Sequence, residues 1–257
     1  MWLADLHVHS SFSDGKMSIP ELVDFYGQKG FGCIAVTDHV CEEKSFIGKA
    51  ASYLNQCMDR ERFPAYLDLL THEARRAKET YNMVVIPGFE LSKNSISNHR
   101  SAHILGIGIS RYMSADGDPV DLARAIRNQG GLAIVAHPVS TRSWEPQTYY
   151  LWSRRKELAL EFDAWEVASG KHLFHEVLAS GLPMIATSDL HQPRQVNSWK
   201  TQFRCDRNQE SILEAIRKQE LNFVFYQEKE VENLVLHRNN YLAVNTRRFI
   251  GATFLPH

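Results

Sequence analysis

The chain has 257 residues, 44% of them hydrophobic and 23% charged, which excludes disordered, collagen-like and low-complexity proteins. Its 29 Lys and Arg stand against 30 Asp and Glu, a formal charge of -1, and that balance argues against a protein whose main task is coating nucleic acid. A chain of this length buries about three quarters of its unfolded surface, and one α/β barrel of about 250 residues fits as well as two smaller domains.

No apolar run approaches the roughly 18 residues of a membrane span and no secretory leader pattern opens the sequence, so no membrane contact and a cytoplasmic location are expected. Cys33, Cys41, Cys57 and Cys205 show no CxxC pair and no framework spacing, and free thiols in a reducing compartment are expected. The unusual count is 12 histidines.

In chain order, Trp2 to His9 is a β-type run. Ser18-Ile19-Pro20-Glu21 has the form of a capping box, with Leu22, Phe25 and Tyr26 on one helical face and Gly30 as the stop. Cys33 to Thr37 is the next strand. The segment 41–64 has no clear period and is expected to act as a lid. Apolar residues at 67, 70, 74, 77 and 81 predict a helix over 65–81. Met83 to Ile86 and Ala102 to Ile109 read as strands. Asp118-Pro119 caps a helix that Gly130-Gly131 ends, and Leu132 to Ala136, Ala164 to Val167 and Met184 to Thr187 are further buried strands. A helix over about 209–219 precedes an extension from about 227. Strands alternating with helices imply βαβ units and a parallel sheet, and seven such units in one domain over 1–257 suggest a closed or nearly closed barrel.

Catalytic residues of barrels sit at the C-terminal ends of strands, and the polar residues gather there. His7-Val8-His9 ends the first strand with both imidazoles on one side of it. Asp14 follows in the next loop. Asp38-His39 ends the second strand, Glu90 the third, His103 lies in the fourth, His137 ends the fifth, and Asp189 and His191 close another with the same i, i+2 spacing. A lone histidine at a strand end is usually structural, but this constellation repeats. Imidazoles and carboxylates together are the ligand set for divalent zinc, iron or manganese. Nine candidates exceed what one ion needs and suit two or three. Three divalent ions carry about +6, the three carboxylates remove 3, and a phosphate dianion with one hydroxide meets the remainder.

These nine residues, in this order, resemble the PHP family, named for polymerase and histidinol phosphatase. The motifs are DLHVHSSFSDG at 5–15, TDH at 37–39, PGFE at 87–90, His103, AHP at 136–138 and SDLH at 188–191. The resemblance implies a distorted (β/α)7 barrel of PHP type with the metal site at the C-terminal strand ends. It also implies an ion held by His7, His9, Glu90 and Asp189, a second by Glu90, His103 and His137, and a third by Asp14, His39 and His191. Some relatives carry histidine where Asp14 stands, and the carboxylate favours manganese or iron over zinc. Amidohydrolases share HxH but commonly use a bridging lysine, and none ends a strand here. TatD-type nucleases lack the TDH and SDLH pair.

The expected activity is hydrolysis of a phosphomonoester of a small molecule (nucleotide, sugar phosphate or histidinol phosphate type) by a metal-activated hydroxide. Asp189 and Glu90 are expected to be catalytic, and Asp38 to orient an imidazole. Arg142 and Lys171 are the candidates for phosphate contact, with Lys93 and Arg100 weaker ones. The alternatives are a nuclease or oligonucleotide phosphatase acting on a short oligonucleotide with the same site, and a non-catalytic metal-binding module.

Overall fold

Short apolar runs without polar alternation need cover on both faces, and here they form the centre of one mixed sheet. The computed structural model describes residues 1–44, 56–93, 102–139 and 149–228, and the backbone of 234–236 and 243–245. In chain order the strands are β1 (Trp2–Val8), β2 (Cys33–Val36), β3 (His39–Cys41), β4 (Val84–Lys93), β5 (Ala102–Ile107), β6 (Leu132–Val135) and β7 (Ala164–Ser169). They continue with β8 (His172–Leu173), β9 (Met184–Thr187), β10 (Trp199–Phe203), β11 (Leu221–Phe225), β12 (Leu234–Leu236) and β13 (Ala243–Asn245). The sheet order is β13-β12-β11-β10-β1-β2-β4-β5-β6-β7-β8, with β3 added to β4 and β9 to β7.

β1, β2, β4, β6, β7 and β9 share one direction, whereas β5 runs against both β4 and β6. The reason is the length of the connection. Only residues 94–101 separate β4 from β5, and a parallel crossover takes about a dozen residues or more. The architecture is therefore a mixed α/β fold with a curled, half-barrel sheet. The curl brings the chain after β9 back to β1. Val8 and Leu190 form a parallel bridge, with the His9 N–H donating to the Leu190 carbonyl at 2.8 Å and the Leu190 N–H to that of His7 at 3.1 Å.

Helices pack against the strands and against one another. In α1 (Ile19–Gln28) the Glu21 carboxylate accepts from the Ser18 N–H at 2.7 Å, and Ile19, Leu22, Val23 and Tyr26 are buried. α2 (Phe63–Tyr81) buries Phe63, Tyr66, Leu70, Glu73 and Ala77. That face is rotated from the expected one through 67, 74 and 81, because the buried Glu73 is neutralised by Arg76, which also reaches Asp24 of α1. The Tyr66 hydroxyl lies 2.9 Å from both the Val36 and the Gly88 carbonyl oxygens. It serves the gap where β4 changes partner from β2 to β3. α3 (Pro119–Arg127) is capped by the Asp118 carboxylate on the Val120 N–H at 3.0 Å.

The sequence expectation ends the third strand at Glu90, but β4 continues to Lys93 because β3 supplies an edge, pairing His39 with Glu90 and Cys41 with Ser92. The free-thiol expectation is corrected for two cysteines. Cys41 and Cys57 form a disulfide, with Cα atoms 5.9 Å apart, well within the usual range. The Met58 N–H donates to the His39 carbonyl at 2.7 Å, and that contact, which no local spacing announces, holds the two cysteines side by side. Cys33 and Cys205 are free. Within the expected lid, residues 45–55 fall outside the described residues. The extension from 227 adds β12 and β13 antiparallel to the edge beyond β11. No helix among the described residues is long and apolar enough to cross a membrane.

Candidate metal centre

The co-directional strands point their C-terminal ends to one side of the sheet, and the chain leaves each there with a polar residue. His7 and His9 lie at the end of β1, Glu90 in β4 beyond its last contact with β2, His137 just past β6, and Asp189 and His191 just past β9. His103 belongs to the same end only because β5 is inverted, so that its first residues lie opposite Ser92 and Lys93. Asp14 reaches the centre through a tight loop. Gly15 passes so close to His9 that an added Cβ would lie 2.2 Å from its carbonyl oxygen.

All nine expected ligands converge. They form three overlapping groups: His7, His9, Glu90 and Asp189; His9, Asp14, His39 and His191; and Glu90, His103 and His137. Within each group the potential donor atoms all lie within 4.8 Å of one another. Glu90 is the joint. Its Oε2 lies 3.2 Å from His7 Nε2, 3.4 Å from His9 Nε2 and 3.0 Å from His39 Nδ1, while its Oε1 lies 2.7 Å from His103 Nδ1 and 3.3 Å from His137 Nε2. Asp189 Oδ1 stands 3.4 Å from His7 Nε2 and 3.3 Å from His9 Nε2. Asp14 Oδ1 is 3.6 Å from His39 Nε2 and 3.3 Å from His191 Nε2.

The residues fit a metal. His9 is fully buried with neither ring nitrogen in a hydrogen bond, although Nε2 has two carboxylate oxygens within 3.4 Å. A buried imidazole without a partner costs on the order of 1–3 kcal/mol, and a cation among these atoms satisfies it. Two ligands each at about 2.0–2.2 Å from a tetrahedral ion stand about 3.4 Å apart, the spacing of the His9, Glu90 and Asp189 atoms. The centre is closed below and open above. The His7 and His9 side chains are 0% exposed and Glu90 1%, whereas Asp189 is 31% and Asp14 35% exposed.

Electrostatics follow from this crowding. Burial opposes ionisation of Glu90, but the imidazoles of His39, His103 and His7 outweigh it and hold the carboxyl well below its usual range. Asp189 is lowered in the same way by His7, His9 and His191 against the cost of burial. Burial lowers His9 to about 3, with the neighbouring His39 and His191 working in the same direction. His137 and His191 go the other way. Despite burial, hydrogen bonding to Glu90 and to Asp14 respectively, with further carboxylate charge, lifts each to about 9.

Asp38, expected to orient an imidazole, adjoins His39, whose charge favours its ionised form against the cost of burial. Its carboxylate accepts from the Ser10 N–H at 2.9 Å, the Ser10 hydroxyl at 2.7 Å, the Ser13 N–H at 3.1 Å and the Ser13 hydroxyl at 2.6 Å. It thus pins the loop that delivers Asp14. Lys171 is exposed in the turn between β7 and β8. Lys93 is buried and paired with Glu42. Arg142 and Arg100 lie outside the described residues. Sequence reasoning missed Glu166, whose Oε1 lies 2.8 Å from His7 Nδ1. The available signal was a lone acid inside the apolar strand Ala164-Trp165-Glu166-Val167-Ala168.

The PHP domain profile matches residues 5–179. None of the curated proteins matches the chain significantly. Among solved structures, the chain is similar to a two-domain protein of Bacteroides vulgatus containing a predicted PHP-like metal-dependent phosphoesterase, with 24% identity and a TM-score of 0.63 over 88% of this chain. The chain spans 65% of that protein's length. It also aligns with an amidohydrolase of Chromobacterium violaceum (19% identity, TM-score 0.49, 74% of this chain and 88% of that one). A further match is Endonuclease Q in complex with a 27-mer duplex carrying an abasic lesion (14% identity, TM-score 0.48, 84% and 56%). With the family profile covering well over half of the sequence and the strand-end histidines and acids gathered into clusters able to bind metal, the chain belongs to the PHP domain family.

Proposed function

We propose that this chain is a metal-dependent phosphoesterase that hydrolyses a phosphomonoester of a small molecule, using two or three divalent ions of zinc, manganese or iron. The observation that carries the reading is Glu90, whose two oxygens each face a different set of imidazoles at the floor of a centre open on one side. His7, His9, Glu90 and Asp189 would hold one ion, Glu90, His103 and His137 a second, and Asp14, His39 and His191, beside His9, a third. Bound there, divalent ions supply Lewis acidity and a nucleophilic hydroxide near neutral pH.

The chain's own residues do the rest. Asp189, part-exposed above the buried histidines, would orient the attacking water and accept its proton. Asp38 fixes the Asp14 loop through its hydrogen bonds to Ser10 and Ser13. Lys171, exposed after a strand end on the same side of the sheet, is a candidate for contact with the phosphate, as is Arg142. The near-neutral charge of the chain favours a small substrate over a polyanion.

The deciding experiment measures phosphate release from nucleotides, sugar phosphates and histidinol phosphate, beside cleavage of short 5′-phosphorylated oligonucleotides. The protein is assayed stripped by chelator and reloaded with Mn²⁺, Fe²⁺ or Zn²⁺. Metal-dependent release from a small phosphomonoester is expected. Turnover confined to oligonucleotides would replace the reading with a nuclease. Full activity in the ion-free protein, or none with any ester, would end it.

A further inference from the structure

A carboxylate buried in a strand core needs donors, because water cannot reach it. Glu166 is fully buried in β7, and three donors from three other segments converge on it. His7 Nδ1 lies 2.8 Å from Oε1, the Thr187 hydroxyl donates to Oε1 at 2.5 Å, and the His137 N–H donates to Oε2 at 2.6 Å. The segments are β1, the end of β9 and the turn after β6, and each carries or adjoins a candidate metal ligand.

The two oxygens act on different groups. At Oε1 the ring of His7 is held with its proton on Nδ1, which leaves Nε2 as the nitrogen aimed at Glu90 and Asp189. At Oε2 the contact is with backbone. His137 has φ +27°, in the left-handed region that a residue with a Cβ adopts only when its surroundings impose it, at a cost on the order of 1–3 kcal/mol. The His137 N–H bonded to Glu166 is such a constraint, and it turns the imidazole toward Glu90 Oε1 at 3.3 Å. His7 and His137 belong to different groups of the centre. We propose that Glu166 is a positioning residue that registers these two groups against each other, through the ring of His7 and the backbone of His137, and so sets metal affinity at both.

The inference rests on the phosphoesterase reading only for its consequence in metal binding, and the test separates the two. The full chain is labelled with ¹⁵N-histidine, and the ring proton of His7 is assigned by its disappearance in H7Q. A slowly exchanging Nδ1–H is expected for His7 in the wild type, and faster exchange in E166Q, whose amide leaves one acceptor oxygen for three donors. Competition with a chelating dye should show divalent-ion binding 10- to 100-fold weaker in E166Q, the range found when a ligand's carboxylate partner is removed. An unprotected Nδ1–H in the wild type, or E166Q binding within threefold of it, overturns the proposal. If E166Q does not fold, E166D, whose carboxylate is one methylene too short to keep both contacts, takes its place with the same two readouts. If the wild type takes up no divalent ion, the phosphoesterase reading falls, while the His7 ring proton still decides the Glu166 contact.

Discussion

Glu90 concentrates the chemistry of the centre in one side chain. Five imidazoles surround it, and exchanging one oxygen for an amide removes an acceptor and introduces N–H donors where only lone pairs fit. The variant E90Q should lose at least one ion per chain by mass spectrometry and turn over at least about 100-fold more slowly, and unchanged stoichiometry would contradict its place as the joint. The same crowding fixes the response to pH. His137 and His191 stand at about 9 in the folded protein against about 6.5 unfolded. A raised folded value contributes stability that is fully present below about 6.5 and lost as pH rises through 9. Metal-free protein should therefore melt at progressively lower temperature between pH 7 and 9.5. Ion binding must displace those protons, so calorimetric titrations at pH 7.5 in two buffers of different ionisation enthalpy should show proton release, with apparent affinity rising toward pH 9. A titration with no proton release would mean that the two imidazoles are already neutral.

At the scale of elements, the disulfide is the connection with the clearest energetic consequence. Cys41 of β3 and Cys57 before α2 are separated by 16 positions, and closing a loop of that size removes unfolded-state entropy worth about 3 kcal/mol. Reduction, or the C41S/C57S double variant, should lower the melting temperature by roughly 5–10 °C, and an unchanged transition would show that the bridge contributes nothing. Its pairing was hidden in the sequence for the same reason as much of the sheet. Residues that act locally were legible: His7 and His9 by their spacing on one strand, Asp189 and His191 by the same spacing, and the Asp118 cap by its place before Pro119. Features made by distant segments were not. β3 is only three residues long and exists because β4 offers it an edge. β10 and β11 carry mixed polar and apolar residues and become strands by pairing antiparallel beside β1. The inversion of β5, which makes an early strand residue such as His103 a member of the centre, follows from the short 94–101 connection only once β4 is known to reach Lys93. Glu166 looked like an interruption of an apolar strand until three segments placed donors around it.

Across the whole molecule, the centre is where the half-barrel is least able to hold itself together by apolar contact. The lower part of the sheet is tied by burial and by the Lys200–Asp5 pair, 3.2 Å apart and fully buried, with Tyr26 and Ser188 also donating to Asp5. The upper part brings three carboxylates and six imidazoles from most of the co-directional strands into one volume. There the carboxylates raise His7, His39, His137 and His191 above their ordinary value despite burial, and neither ring nitrogen of His9 is in a hydrogen bond. An ion bound to the folded chain alone adds about 2.7 kcal/mol at a free concentration of 100 times its Kd, equivalent to roughly 5–10 °C in a protein of this size. Because the ligands come from β1, β4, β5 and the segments after β6 and β9, the gain should appear as a shift of the single global transition rather than as a separate local one. Calorimetry of chelator-stripped and Mn²⁺- or Zn²⁺-loaded protein measures it directly. A coincident transition in the two samples would mean that the clustered side chains hold no ion, and the strands would then have to keep three buried or half-buried acids in register by protons alone.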